Sequence, residues 1–102
     1  MPLKAVIMGP VEAVRDAFAH TSHWAGFNIA GAALIGTGDS PFLELARVAF
    51  WEALDIAALD AQALILAEPP ADGVTARALL ERAAEARMKM FLLENGAPRG
   101  LR

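Results

Sequence analysis

The residues best suited to binding chemistry form the turn after the first apolar run, Gly9-Pro10-Val11-Glu12. A dinucleotide site at such a turn uses G-x-G-x-x-G, so that bare backbone can approach the pyrophosphate at the start of a helix. Only Gly9 fits, because Val11 stands at the close-approach position and Glu12 adds negative charge where phosphates would sit. The turn therefore predicts a degenerate dinucleotide site that binds NAD or NADP weakly or not at all.

A second glycine-rich segment, residues 36–40, supplies further candidates. It could cradle an anion in front of helix amides, or it could be a chain break with a helix cap at Ser40. Glu68 follows the third apolar run of the chain and would lie at the same edge of a sheet. The candidate cofactor-binding residues are Gly9, Pro10, Gly36, Thr37, Gly38 and Glu68.

Catalytic and metal chemistry have weaker candidates. Glu68 and Glu94 both follow apolar runs and could act as paired carboxylates, or they could be ordinary exposed acids at strand ends. His20 and His23 have a helical spacing that suits a metal, but no third ligand lies near them in the sequence. No serine stands in a nucleophile elbow and there is no cysteine. We predict no catalytic residue and no metal site in this chain.

Composition limits the remaining classes of fold and function. The chain has 102 residues, of which 56% are hydrophobic, and this is the usual size of one domain. A net charge of −3 gives no electrostatic basis for binding nucleic acid. No uninterrupted apolar run approaches the roughly 20 residues that span a bilayer.

Four short apolar runs predict four strands, at residues 3–8, 27–35, 61–67 and 89–93. Helices are expected between them: one begins at Pro10, one runs from Pro41 to about residue 58, and one is capped by Asp72 or Thr75. This alternation predicts an α/β fold, a small Rossmann-like three-layer sandwich with a mostly parallel four-stranded sheet in the order 2-1-3-4. Ligands in such sheets bind at the switch between the first and third strands.

The second predicted helix is apolar on nearly every side. From Phe42 to Leu59 its polar residues are few, so packing one face on the sheet would leave several large side chains near solvent. We expect this segment to mediate a homodimer or to dock a partner domain of a longer chain; the alternative is a thick core that buries both sides. The side chains concerned are Phe42, Val48, Phe50, Trp51 and Ile56.

Residues 56–69, 76–91 and 98–102 carry a resemblance to a known family. They are similar to the N-terminal Rossmann-like, CoA-binding-like domain of polysaccharide-biosynthesis nucleotide-sugar epimerase/dehydratases. The resemblance implies that residues 1–102 form a single domain of a longer, membrane-associated enzyme. The catalytic Tyr-x-x-x-Lys of such an enzyme would lie beyond residue 102, and this chain contains no tyrosine. The first turn departs from the glycine-rich turn that relatives keep.

The resemblance implies a cytoplasmic, non-catalytic domain with a nucleotide-binding-like or regulatory role in surface-polysaccharide synthesis. Two alternatives remain open. One is a stand-alone Rossmann-like interaction module. The other is a CoA-binding-like domain, because Glu68-Pro69-Pro70 and residues 76–86 also resemble folds of the succinyl-CoA-synthetase type.

Overall fold

The computed structural model describes residues 2–20, 24–40 and 43–101. His23, Pro41 and Phe42, which enter the predictions above, lie outside the described residues. In chain order the elements are β1 (Leu3–Pro10), α1 (Val11–His20), β2 (Phe27–Ile35), β3 (Glu44–Val48), two 3₁₀ turns (Trp51–Ala53 and Ile56–Ala58), β4 (Ala63–Leu66), α2 (Gly73–Glu85), β5 (Lys89–Glu94) and β6 (Ala97–Gly100).

The fold is α/β, with a six-stranded sheet in the order β3-β2-β1-β4-β5-β6. Every neighbouring pair is parallel except β5 and β6. The four predicted strands are the central four, and their neighbour order is the predicted one. The predicted strand count is wrong, because the sheet gains β3 at one edge and β6 at the other. Pro10 ends β1 and the first helical residue is Val11, so Pro10 is not the first residue of the helix.

The predicted helix over residues 41–58 is wrong. Its described part forms β3 and the two 3₁₀ turns. The register explains why no helix is needed between β2 and β3, since β3 pairs only with Ala32 to Ile35 of β2. The chain therefore has to return along only four residues of β2, about 13 Å at the usual rise per strand residue.

The hairpin of β5 and β6 is a second feature of the structure that the four-strand prediction lacks. Its two-residue turn is Asn95-Gly96, and both residues have positive φ, at 53° and 80°. Asn-Gly between two strands is the strongest short-range signal for such a turn, because both positions need left-handed backbone. The sequence therefore contains a signal for β6, which the four-strand prediction does not include.

Two apolar clusters pack on opposite faces of the sheet. On one face α1 contributes Val11 and Val14 to a cluster that includes Ile7 and Ile65. On the other face α2 and the 3₁₀ turns cover the sheet, and their buried side chains include Leu54, Ile56, Leu79 and Ala83. The sheet is thus a middle layer with a helix on each side.

The segment after β3 is tied to α2 by polar contacts. Asp72 caps α2 by accepting a hydrogen bond from the Val74 backbone nitrogen at 3.1 Å, so Asp72 rather than Thr75 is the N-cap. Arg82 Nη1 of α2 donates to the Leu54 backbone oxygen at 2.9 Å. This bond, and the one that Thr75 Oγ1 donates to Glu52 Oε1 at 3.1 Å, hold the irregular segment against α2 in the layer where a longer helix was expected.

Only some of the large apolar side chains that the sequence predicts to lie near solvent in residues 42–59 are exposed. Phe50 is 62% exposed, whereas Ile56 is buried, and Val48 and Trp51 are half-buried. Leu43 and Leu45, beside and within β3, are 66% and 43% exposed. The exposed apolar side chains of this segment therefore lie along β3 and on either side of it.

Candidate functional site

The carboxyl ends of β1 and β4 meet at the centre of the sheet. β1 leads through α1 to β2 on one side, and β4 leads through α2 to β5 on the other, so the chain leaves this point in opposite directions. Gly9 has φ of 150°, and an added Cβ there would lie 3.5 Å from the Glu68 backbone nitrogen. Gly9 and Glu68, predicted separately, are therefore neighbours at the switch point where α/β proteins bind ligands.

The glycine-rich segment after β2 folds over the start of α1. Arg15 Nη2 donates to the Asp39 backbone oxygen at 2.9 Å. An added Cβ on Gly38 would lie 3.3 Å from Val11 Cγ1 and 3.6 Å from Arg15 Nη2. Gly38 thus lies directly against the first turn of α1, and the hydrogen bond from Arg15 to Asp39 holds the segment in this place.

Two further contacts fix the other end of that segment. The Gly36 backbone oxygen accepts a hydrogen bond from Arg47 Nη1 at 3.0 Å, and the Gly36 nitrogen donates to the Val48 oxygen at 2.8 Å. Thr37 is exposed between these anchors. Because Val11 is only 3% exposed and Glu12 lies in the first turn, the start of α1 offers a phosphate neither open backbone nor favourable charge.

A cleft lies beside this point, on the α1 face of the sheet. It has a volume of about 710 Å³ and is bounded by α1, by the segment after β4 and by the turn between β5 and β6. Of the predicted binding residues only Glu68 lines it. The residues that sequence reasoning missed are Asp16, Trp24 and Asn95.

Trp24 fixes the wall of the cleft. Its Nε1 donates to the Gly96 backbone oxygen at 2.8 Å, and its ring lies 5.6 Å from the ring of Phe18. Trp24 is only 5% exposed, so it joins the connection before β2 to the hairpin turn 72 residues later. Asn-Gly was the available signal for that turn, whereas no local pattern marks Trp24 as its partner.

The charged side chains described at the cleft are negative. Asp16 and Glu68 contribute carboxylates, and among the lining residues that the structure describes there is no lysine and no arginine. A nucleotide phosphate would therefore meet like charge here. The cleft is better suited to a neutral or cationic group than to a phosphate.

The predicted carboxylate pair of Glu68 and Glu94 is not formed at the cleft. Glu94 Oε2 accepts a hydrogen bond from Arg99 Nη1 at 2.8 Å, and Glu94 does not line the cleft. This hydrogen bond and the attraction of the two charges raise the pKa of Arg99 above its ordinary value. Glu94 is thus engaged within the hairpin.

The described part of the chain contains neither a candidate metal site nor a candidate membrane-spanning helix. Within residues 2–20, 24–40 and 43–101, no three His, Cys, Asp or Glu side chains are grouped so as to hold a metal ion. Neither of the two described α-helices has the length and apolarity to cross a bilayer.

Comparison with known proteins gives no relative. No family model, no curated protein and no solved structure matches the chain.

Proposed function

We propose that this chain is a non-catalytic, Rossmann-like three-layer domain that acts in regulation or interaction and does not bind dinucleotides. One observation carries the proposal: the start of α1, where a pyrophosphate would lie, is covered by the chain's own segment at Gly38, held by the bond from Arg15 to Asp39. A dinucleotide would have to displace that segment and then face Val11 and Glu12.

Titration calorimetry with NAD, NADP and CoA tests this proposal. We expect no saturable heat up to about 1 mM of each ligand, which corresponds to less than roughly 4 kcal/mol of binding free energy. Amide NMR spectra recorded during the titration give a local readout at Gly9 and Gly38. A low-micromolar dissociation constant for NAD or NADP, with shifts at those two amides, would overturn the proposal. Saturable CoA binding would support the CoA-binding-like alternative instead.

The enzymatic context is a separate proposal that the resemblance alone supports. In that context the domain precedes the catalytic domain of a nucleotide-sugar epimerase/dehydratase of surface-polysaccharide synthesis and works in the cytoplasm. A reading frame that continues past Arg102 into a second Rossmann domain with Tyr-x-x-x-Lys is the expected observation. A stop codon directly after Arg102 would favour the stand-alone interaction module.

The exposed apolar side chains favour an interaction role over a purely structural one. Leu43, Leu45 and Phe50 are three of the five large hydrophobic side chains that are exposed among the described residues, and all three lie within eight residues of sequence. Exposed apolar side chains gathered in this way are typical of a surface that another protein covers. The interaction is therefore expected at the β3 edge of the sheet.

A further inference from the structure

The two edges of the sheet differ in how well they resist pairing with another chain. β6 forms one edge, and its four residues include Pro98, which has no N–H to donate, and Arg99. β3 forms the other edge and contains no proline. Because an edge strand presents unpaired N–H and C=O groups, proline and charge are the usual protection against association. β3 also carries charge, at Glu44 and Arg47, and its register is irregular, but it lacks proline and its two charges are opposite in sign. It is therefore the edge less protected against a partner that presents the same charges in reverse order.

An irregularity in β3 determines which of its side chains share a face. Glu44 pairs with Ala32, and Arg47 pairs with Leu34, so the partners are two residues apart while Glu44 and Arg47 are three apart. Residues two apart on a strand point to the same face, and the extra residue in β3 therefore places Glu44 and Arg47 on one face. Their side chains form an ion pair, with Arg47 Nε donating to Glu44 Oε1 at 2.7 Å.

This arrangement makes the edge complementary to itself. A second β3 that approaches in the antiparallel direction, with the two-fold axis between Leu45 and Ala46, brings Glu44 of each copy beside Arg47 of the other. Each residue already has an opposite charge beside it in its own chain, so the four charges alternate in sign around the two-fold axis. The same reversal brings the exposed Leu43 of each copy towards Val48 of the other.

We propose that this surface binds a second copy of the same chain, with β3 pairing antiparallel to β3 so that the two sheets become one. The contact is isologous and closes on itself, and backbone hydrogen bonds along the edge add to the charge pairs. The inference rests on the proposed interaction role and names its partner. It moves the association surface from the helix expected in the sequence to the edge of a strand.

Charge reversal in two separate chains tests the proposal. Glu44→Arg places four positive charges around the axis of a homodimer, and Arg47→Glu places four negative charges there. Each variant alone is expected to dimerise about tenfold more weakly than the natural chain or worse, because two favourable cross-strand pairs become repulsive. Mixed in equal amounts, the two variants are expected to form a heterodimer, since two arginines in one chain then face two glutamates in the other.

The measurement is sedimentation velocity from about 1 to 200 µM, a range that brackets micromolar dissociation constants. Arg47 also bonds to the Gly36 oxygen, so urea unfolding of each variant checks its fold. Glu44→Arg leaves that bond in place and tests the proposal on its own. The matched controls are Glu94→Arg and Arg99→Glu, which reverse an exposed ion pair at the opposite edge; neither is expected to change the mass.

Two results would overturn the inference. A natural chain that remains a monomer over the whole concentration range rules out the dimer. A dimer that Glu44→Arg does not weaken rules out this interface, because association then uses another surface. In both cases the calorimetric test of nucleotide binding is unaffected, so failure of the inference is distinguishable from failure of the proposed function.

Discussion

Replacing Gly31 with alanine should loosen β3 from the sheet. An added Cβ at Gly31 would lie 2.7 Å from the Leu43 backbone oxygen and 2.7 Å from Leu45 Cγ. These distances are about 0.7 Å shorter than ordinary contact, and the Leu43 oxygen cannot rotate away because it accepts the hydrogen bond from the Ala32 nitrogen at 2.8 Å. The strand itself therefore has to move.

Overpacking of this kind costs about 1–3 kcal/mol, and we expect a value near 2 kcal/mol for Gly31→Ala. In a domain of this size that loss corresponds to a melting temperature lower by roughly 10 °C. Urea unfolding followed by circular dichroism measures the free energy, and hydrogen exchange locates the change. Exchange should accelerate in β2 and β3 and remain slow in β4.

Gly73→Ala is the matched control, because it makes the same chemical change where there is space. Apart from its chain neighbours and the adjacent helix backbone, no described atom lies within 4 Å of an added Cβ at Gly73, the first residue of α2. Alanine restricts the unfolded chain and favours the helix, so stability should rise by about 0.4–1 kcal/mol. If the free energy of unfolding of Gly31→Ala lies within about 0.5 kcal/mol of that of the natural chain, β3 does not approach Gly31 as closely as described.

Three further substitutions test local features of the fold. Asn95→Ala should cost about 1 kcal/mol, because Asn95 has φ of 53°, and Asn95→Gly should cost less; equal losses would contradict the role of left-handed backbone in the turn. Trp24→Phe removes the donor to the Gly96 oxygen and should cost about 1 kcal/mol, with faster amide exchange confined to the hairpin turn; unchanged exchange there would count against this contact. Asp72→Ala should lower stability by about 1 kcal/mol through loss of the cap on the Val74 nitrogen, whereas Asp72→Asn should retain most of it; a neutral alanine variant would exclude the cap.

The four central strands could be predicted because parallel strands buried on both faces are continuous apolar runs. β4 is the clearest case, since Ala63–Leu66 is buried at every position and is followed shortly by Pro69 and Pro70. Right-handed crossovers predicted helices on both faces of the sheet, and α1 and α2 do lie on opposite faces. The outer strands lacked that support, because each depends on a short connection rather than on a helix.

The candidate site was predictable only where topology alone determines proximity. Gly9 lies near the end of β1 and Glu68 follows the neighbouring strand β4, so the sheet order was sufficient to bring them together. The contact of Arg15 with the Asp39 oxygen spans 24 residues of sequence, and Trp24 reaches Gly96 across 72. Such contacts depend on how loops pack in three dimensions, and no periodicity or short motif encodes them.

The incorrect helix prediction over residues 41–58 also changes which substitution can detect association. A helix with apolar side chains all round would have presented Trp51 to a partner, so that Trp51→Glu would have been a natural test. In the structure Trp51 is half-buried and packs against the core cluster on the α2 face. A charge at that position would lower stability and association together, and the two effects could not be separated. Glu44 and Arg47 lie on the strand edge outside the core, so reversing their charges tests association while leaving the apolar core intact.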